Sequence, residues 1–392
     1  MKRPASPGAT VLAMALAATA LIAGCGSAAR PAPGPAPEAP PAGAPFLATS
    51  LVTAVGTWAV AVMGGSATQH NNFWQLFIRP AGSLDWKLVT PPGTADNGGL
   101  VLADTGGPSL ITGFRPSQYL TSTPLTLTRD GGQAWSSTGP LDGALANVPD
   151  ALTTAPGTGR LLALLTSGTA ELATPSYTSW STLASLQTLG ATASGRHCGL
   201  RNLTAAAFSP AGVPLLGGTC SRPGTVGIFT SENGTWQAAG PPLPAALARQ
   251  AITVLRLTRT ATRTVALLTA GSGPAASLLA AWSPDSGSHW ALSPSLPLGG
   301  AQVWSVSAGP GGAIGIVLNG RAGVTLAEPG ASWQWLPFLP TGTQTLAPDP
   351  KGGWDALAVH GTRLTIWQFA PGGAAWAATQ AINVPIQFGS SG

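Results

Sequence analysis

Short apolar runs recur along the chain from residue 58 onward, and turns rich in Gly and Pro separate them roughly every ten residues. The clearest runs cover residues 58–62, 109–112, 161–165, 265–268, 313–317 and 364–367. With 52 glycines and 37 prolines in 392 residues, long helices have little room. The pattern predicts an all-β chain of short antiparallel strands.

A turn motif repeats along these strands. Residues 128–135 and 283–290 both follow an apolar run and both read Ser/Thr-x-Asp-x-Gly-x-x-Trp. Weaker versions end at five further tryptophans: Trp86, Trp180, Trp236, Trp333 and Trp376. Successive tryptophans of the seven copies are 43 to 56 residues apart. That period is typical of one four-stranded β-sheet per repeat, whereas helical repeats are shorter and contain less Gly and Pro.

The two complete copies resemble the Asp-box, or BNR repeat, of sialidase-like β-propellers. The resemblance implies a single seven-bladed β-propeller of four-stranded antiparallel blades over residues 46–392. In each turn the Asp is expected to accept backbone N–H groups, the Gly to adopt a positive φ, and the Trp to pack between neighbouring sheets. The residues expected in these structural roles are Asp130, Gly132, Trp135, Asp285, Gly287 and Trp290.

The N-terminus has the features of an export signal. Lys2 and Arg3 precede an apolar run over 11–23, which is too short to span a bilayer, and residues 22–25 resemble the bacterial lipobox. We predict a lipoprotein signal peptide over 1–24 and a lipidated Cys25 that begins a Pro/Ala-rich linker over 25–45. The alternative is an ordinary signal peptide that contains a cysteine. Lipidation would place the protein on the outer face of the cell membrane, with membrane lipid as its partner.

The other two cysteines form an even pair. In an exported protein, Cys198 and Cys220 are expected to form a disulfide that stabilises the fold by roughly 3 kcal/mol. The four histidines are dispersed without the spacing of metal ligands, so we predict neither a metal nor another cofactor.

Charge is sparse and scattered, with 18 basic and 13 acidic residues, and this argues against nucleic acid as a partner. A protein or glycan ligand is expected on the propeller face that gathers the loops between second and third strands and between blades. The residues predicted to contact it are Arg115, Tyr119 and Arg222, although loop residues of these types are often only solvated.

The chain offers few residues for an enzymatic role. As the resemblance implies, sialidase chemistry needs three arginines, an acid and a Tyr–Glu pair, and only Tyr119 and Tyr177 are present. Residues 77–80 exchange Ile and Arg relative to the sialidase Arg-Ile-Pro motif, and we interpret Arg79 as a surface residue at a strand end. Asp104 and Asp349 read as turn residues. Five acids remain without a predicted pairing: Asp96, Asp142, Asp150, Glu171 and Asp355.

These observations favour a non-catalytic binding or assembly scaffold, anchored to the membrane at the cell surface. A sialidase-like glycoside hydrolase and a glycan-binding module stay open as alternatives, because the propeller fold hosts both.

Overall fold

The computed structural model describes residues 49–64, 72–92, 99–114, 125–138 and 149–385. They belong to one compact unit, Pro40–Gly392, in which 29 strands and two short α-helices are described. The predicted signal peptide, Cys25 and the whole predicted linker lie outside the described residues. No helix in the described ranges is long and apolar enough to span a membrane.

The strands form seven successive antiparallel meanders, which we label I to VII. Meander I contains β1 (Ser50–Thr53), β2 (Gly56–Gly64), β3 (Asn72–Pro80) and β4 (Lys87–Leu88). Meander II contains β5 (Leu100–Gly106), β6 (Ser109–Phe114), β7 (Leu125–Thr128) and β8 (Ser136–Ser137). Meander III contains β9 (Pro149–Thr154), β10 (Leu161–Leu165), β11 (Thr169–Ala173) and β12 (Trp180–Ser185).

Meanders IV and V belong to one nine-stranded sheet, because a single bridge between Thr219 and Thr253 connects them. Meander IV contains β13 (Leu200–Phe208), β14 (Pro214–Cys220), β15 (Gly227–Glu232) and β16 (Thr235–Ala238). Meander V contains β17 (Ile252–Arg259), β18 (Thr264–Ala270), β19 (Ser277–Ser283), β20 (Ala291–Leu292) and the additional edge strand β21 (Leu296–Pro297).

The last two meanders are separate four-stranded sheets. Meander VI contains β22 (Val303–Ala308), β23 (Ile314–Leu318), β24 (Ala322–Leu326) and β25 (Gln334–Trp335). Meander VII contains β26 (Thr343–Pro348), β27 (Trp354–His360), β28 (Arg363–Phe369) and β29 (Ala377–Asn383). The prediction of short antiparallel strands in groups of four is confirmed for the described residues.

The two helices lie between meanders III and IV. α1 (Leu186–Gly190) begins at a capping box on Ser185, and α2 (Ala193–Cys198) ends at Gly199, whose φ of 63° is in the left-handed region. Residues 195–197 belong to α2. A disulfide joins Cys198 to Cys220 with a Cα–Cα distance of 5.0 Å, which confirms the predicted pair.

The core is divided among the contacts between meanders. Six of its seven buried clusters each connect two meanders that follow one another in the chain. The seventh connects the first meander to the last: Met63 and Phe77 pack with Leu357 and Val384. Each meander therefore has two buried faces, which explains why its strands are continuous apolar runs.

Candidate functional site

The turn between β7 and β8 is organised by one carboxylate. Asp130 Oδ1 accepts the backbone N–H groups of Gln133 and Ala134, each at 3.0 Å. The Thr128 hydroxyl donates to the same oxygen at 2.8 Å and accepts the N–H of Gly132 at 2.9 Å. These hydrogen bonds, that of Ala134 foremost, hold the pKa of Asp130 below its ordinary value.

The turn between β19 and β20 repeats this arrangement. Asp285 Oδ1 accepts the N–H of His289 at 2.8 Å, and the Ser283 hydroxyl donates to it at 3.1 Å. The Ser283 oxygen accepts the N–H of Gly287 at 2.9 Å. The imidazole of His289 contacts Asp285 Oδ2 and is the main cause of the lowered pKa of this Asp.

Both turns pack closely against the preceding meander. Gly132 and Gly287 have φ of 87° and 98°, and a Cβ at either position would lie 2.8 Å from the Cβ of Val89 or of Ala239. Four tryptophans donate their indole N–H to a backbone carbonyl that lies just after the fourth strand of the preceding meander. The pairs are Trp135 to Val89 at 3.0 Å, Trp290 to Ala239 at 2.7 Å, Trp333 to Pro294 at 2.8 Å, and Trp376 to Pro337 at 3.4 Å. These turns therefore serve packing.

The contact between meanders I and VII differs, because it contains charge. Arg79, at the end of β3, is only 3% exposed. Its guanidinium contacts Asp355, lies 3.3 Å from Asp349 Oδ2, and donates to the carbonyl of Pro348 at 2.8 Å. The prediction that Arg79 is a surface residue was wrong. Its two carboxylate partners are about 270 positions away in the chain, so no local pattern indicated that they would compensate its charge.

Trp86 completes this buried cluster. Its indole N–H donates to Asp355 Oδ2 at 2.9 Å, and its ring lies 5.2 Å from the Arg79 guanidinium. The side-chain amide of Gln380 accepts the backbone N–H of Trp86 at 2.7 Å and donates to the backbone carbonyl of Trp86 at 2.9 Å. Burial raises the pKa of Asp355 to about 6, although the charge of Arg79 opposes the shift. Asp349 and Asp355, predicted as a turn residue and an unpaired acid, hold two meanders together.

A cavity of about 390 Å³ lies among the first strands of five meanders. β1, β5, β9, β17 and β22 supply its lining, which includes hydroxyl groups of Ser and Thr. Its described charged residues are Asp104, Arg256 and Arg259. We call it the inner cavity. Arg256 and Arg259 were not among the predicted site residues, and Asp104, predicted as a turn residue, belongs to β5.

Arg256 enters the inner cavity because of a β-bulge. The register between β17 and β18 shifts between Val254 and Arg256. Val254 and Leu257 therefore share one core cluster, and Arg256 is displaced from that face. Arg256 Nη2 donates to the hydroxyl of Thr49 at 3.1 Å, and burial lowers the pKa of the guanidinium to about 10.

Other polar groups of the inner cavity are buried without full compensation by charges or hydrogen bonds. Burial raises the pKa of Asp104, although the N–H of Gly106 and the charge of Arg259 oppose the rise. Burial lowers the pKa of Arg259. Within the described ranges, Arg259 Nε and the Ser50 hydroxyl are buried without a hydrogen-bond partner. The cavity can therefore accept hydrogen-bonding atoms from a ligand.

Of the predicted ligand contacts, Arg222 is described, and it does not line this cavity. Arg222 is exposed beside the disulfide, and its Nη1 lies 3.1 Å from His197 Nδ1. Arg115 and Tyr119 lie outside the described residues, so their prediction stands as it was made. Tyr177 is buried, and its hydroxyl donates to the carbonyl of Gly159 at 3.1 Å.

The predicted acids are not brought together where the structure describes them. Glu171 is partly buried in β11, where burial raises its pKa, while Asp355 lies between meanders I and VII. Asp150 lies in β9, and Asp96 and Asp142 are outside the described residues.

A second cavity, of about 640 Å³, is an aromatic groove at meanders VI and VII. Phe338, Trp367 and Trp376 line it together with His360 and Pro337. Phe338 is 96% exposed, which is unusual for a large apolar side chain.

Solved structures share this arrangement of sheets. YCF48 from Cyanidioschyzon merolae is 15% identical with a TM-score of 0.51, over 84% of this chain and 96% of that one. A protein from Lactobacillus plantarum is 10% identical with a TM-score of 0.51, over 84% and 96%. No family model and no curated protein matches the sequence. The structural neighbours are β-propellers, and the likeness shows that this chain has a β-propeller fold.

Proposed function

We propose that this protein is a membrane-anchored, cell-surface β-propeller of seven blades that acts as a non-catalytic binding or assembly scaffold. The seven meanders correspond to the seven blades in this proposal. The cyclic order of the core clusters supports it, because the last cluster returns to the first meander. The seven tryptophan-ended turns were the sequence basis of the same count.

The lining of the inner cavity is the observation that carries the non-catalytic role. Most glycoside hydrolases need two carboxyl groups about 5–10 Å apart on either side of the scissile bond, whereas a sialidase needs an acid and a Tyr–Glu pair. Among the described lining residues Asp104 is the one acid, and it shares the lining with Arg256, Arg259 and a set of hydroxyl groups. Such a lining suits recognition of a ligand and lacks the acid pair that bond cleavage requires.

The test is a turnover assay on the full-length protein in mild detergent. A fluorogenic sialoside and a panel of fluorogenic glycosides are supplied, and we expect no hydrolysis above a buffer control. Hydrolysis that disappeared in Asp104→Asn but persisted in the exposed-site control Asp85→Asn would overturn the scaffold role in favour of a glycosidase.

The proposed anchor is tested separately. The wild-type chain, expressed in a bacterium with lipoprotein processing, should partition with membranes and carry diacylglycerol on Cys25 by mass spectrometry. Cys25→Ser should leave the protein unprocessed and unlipidated, since the acylated thiol is absent. A wild-type chain found without lipid would contradict the anchor and leave the fold assignment untouched.

The aromatic groove favours a second candidate, a glycan-binding module. Aromatic faces such as those of Phe338 and Trp367 stack on sugar rings, and His360 and Thr365 offer polar groups beside them. A glycan array should show retained sugars that Phe338→Ala releases. Leu84→Ala, at another exposed apolar residue, is the matched control. An array without signal would exclude this candidate.

A further inference from the structure

We infer that the inner cavity binds a small molecule bearing an oxyanion, a carboxylate or a phosphate, through Arg256 and Arg259. This inference rests on the proposed binding role and names the ligand class of the same site. It concerns the charged lining of the first strands and not the aromatic groove.

The charge of the lining is the first argument. Two guanidinium groups and one carboxylate line the cavity where the structure describes it, so the lining carries a net positive charge. Neither Arg256 nor Arg259 is in an ion pair among the described residues, in contrast to Arg79 with its two acids. Both arginines are partly buried, and Arg259 interacts electrostatically with Asp104. Cations withdrawn from water are normally paired, so Arg256, which has no acidic partner among the described residues, favours an anion brought by a ligand.

The unmet hydrogen bonds are the second argument. The Nε–H of Arg259 and the hydroxyl of Ser50 are both buried and unpartnered in the described part of the chain. The Thr49 hydroxyl already donates to the carbonyl of Val306 at 2.9 Å while accepting from Arg256. Among the described residues Arg256 donates to Thr49, and its further N–H groups are available to a ligand oxygen. An oxyanion accepts from guanidinium and hydroxyl donors alike.

The size and position of the cavity are the third argument. Its volume of about 390 Å³ lies within the range of small-molecule sites in proteins. Its lining includes β1 with the residues that flank it, Thr49 and Ala54, and also Thr260 and Ala261, which come after the end of β17. The lining thus reaches the hairpins that follow the first strands, where a ligand could enter.

The test is calorimetric titration of the full-length protein in detergent with inorganic phosphate, and separately with acetate, at constant ionic strength in chloride. We expect saturable binding of at least one anion, with one site per chain. Preference for phosphate or for acetate would identify the tetrahedral or the planar oxyanion as the better match. Arg256→Gln should weaken binding about tenfold or more, because a charge-assisted hydrogen bond is lost.

Arg249→Gln is the matched control, because it removes the same charge from an exposed residue outside the cavity. Its affinity for the anion should be within about twofold of that of the wild type, because salt screens an exposed charge. Thermal unfolding is recorded for every variant, and Arg259→Gln decides the result if Arg256→Gln does not fold. The inference is overturned if neither anion binds above chloride, or if a folded cavity variant binds like Arg249→Gln. Glycoside turnover would instead contradict the scaffold role, so the two failures are distinguishable.

Discussion

Contacts between adjacent meanders and the contact between the two ends of the chain use different chemistry. In four of the former, an indole N–H donates to a backbone carbonyl of the preceding meander, as Trp290 does to Ala239. In the latter, Trp86 donates to a carboxylate, and Arg79 with its two acids is buried beside it.

The two kinds of contact also differ in the sequence separation and the charge of their partners. The indole contacts join groups 39 to 51 residues apart, and they involve neutral partners. The contact of meanders I and VII joins groups about 270 residues apart and removes three charged groups from water. Charges removed from water must compensate one another closely, so loss of one partner costs more than loss of a neutral hydrogen bond.

The largest expected effect comes from removing the cation of this cluster. Arg79→Met should lower the free energy of unfolding by about 3–5 kcal/mol, because it leaves Asp349 and Asp355 buried without their counter-charge. Urea denaturation measures the loss. Arg249→Met, at an exposed arginine, should change stability by less than about 0.5 kcal/mol. Equal effects of the two substitutions would show that the buried charges do not distinguish this contact.

The pH dependence of stability gives the next largest effect. The pKa of Asp355 is about 6 in the folded protein and near 3.8 when the group is exposed. The folded chain therefore holds a proton that the unfolded chain has released, and this contribution to stability is complete below about pH 4 and lost as pH rises through 6. Asp355→Asn stays neutral throughout.

The stability of Asp355→Asn relative to the wild type should therefore improve between pH 4 and pH 7, by an amount on the order of 2 kcal/mol. Urea denaturation of both proteins at four pH values in this interval measures the trend, and comparing the two chains cancels the titration of other groups. A difference that did not change with pH would contradict the raised pKa of Asp355.

A smaller effect is expected at a neutral contact. Trp290→Phe keeps a large aromatic ring but removes the N–H that Ala239 accepts, so the free energy of unfolding should fall by about 1–2 kcal/mol. Trp335→Phe is the control, because Trp335 is 58% exposed. A loss at Trp290 as large as that of Arg79→Met would remove the distinction between the two kinds of contact.

Local sequence patterns determined much of the architecture. Apolar runs predicted the strands, and the paired cysteines predicted the disulfide between Cys198 and Cys220. The turn motif predicted which carboxylates accept backbone N–H groups, because Asp130 and Asp285 find their partners within four residues. Interactions of such short range depend on neighbours in the chain, and the sequence displays those neighbours directly.

Tertiary structure decided the inner cavity and the charged contact. Arg79 looked like a surface residue until the fold placed it against Asp349 and Asp355. Arg256 reaches the inner cavity because a bulge in β17 alters which side chains reach the core. Burial and pairing depend on groups hundreds of residues apart, and only folding brings such groups together.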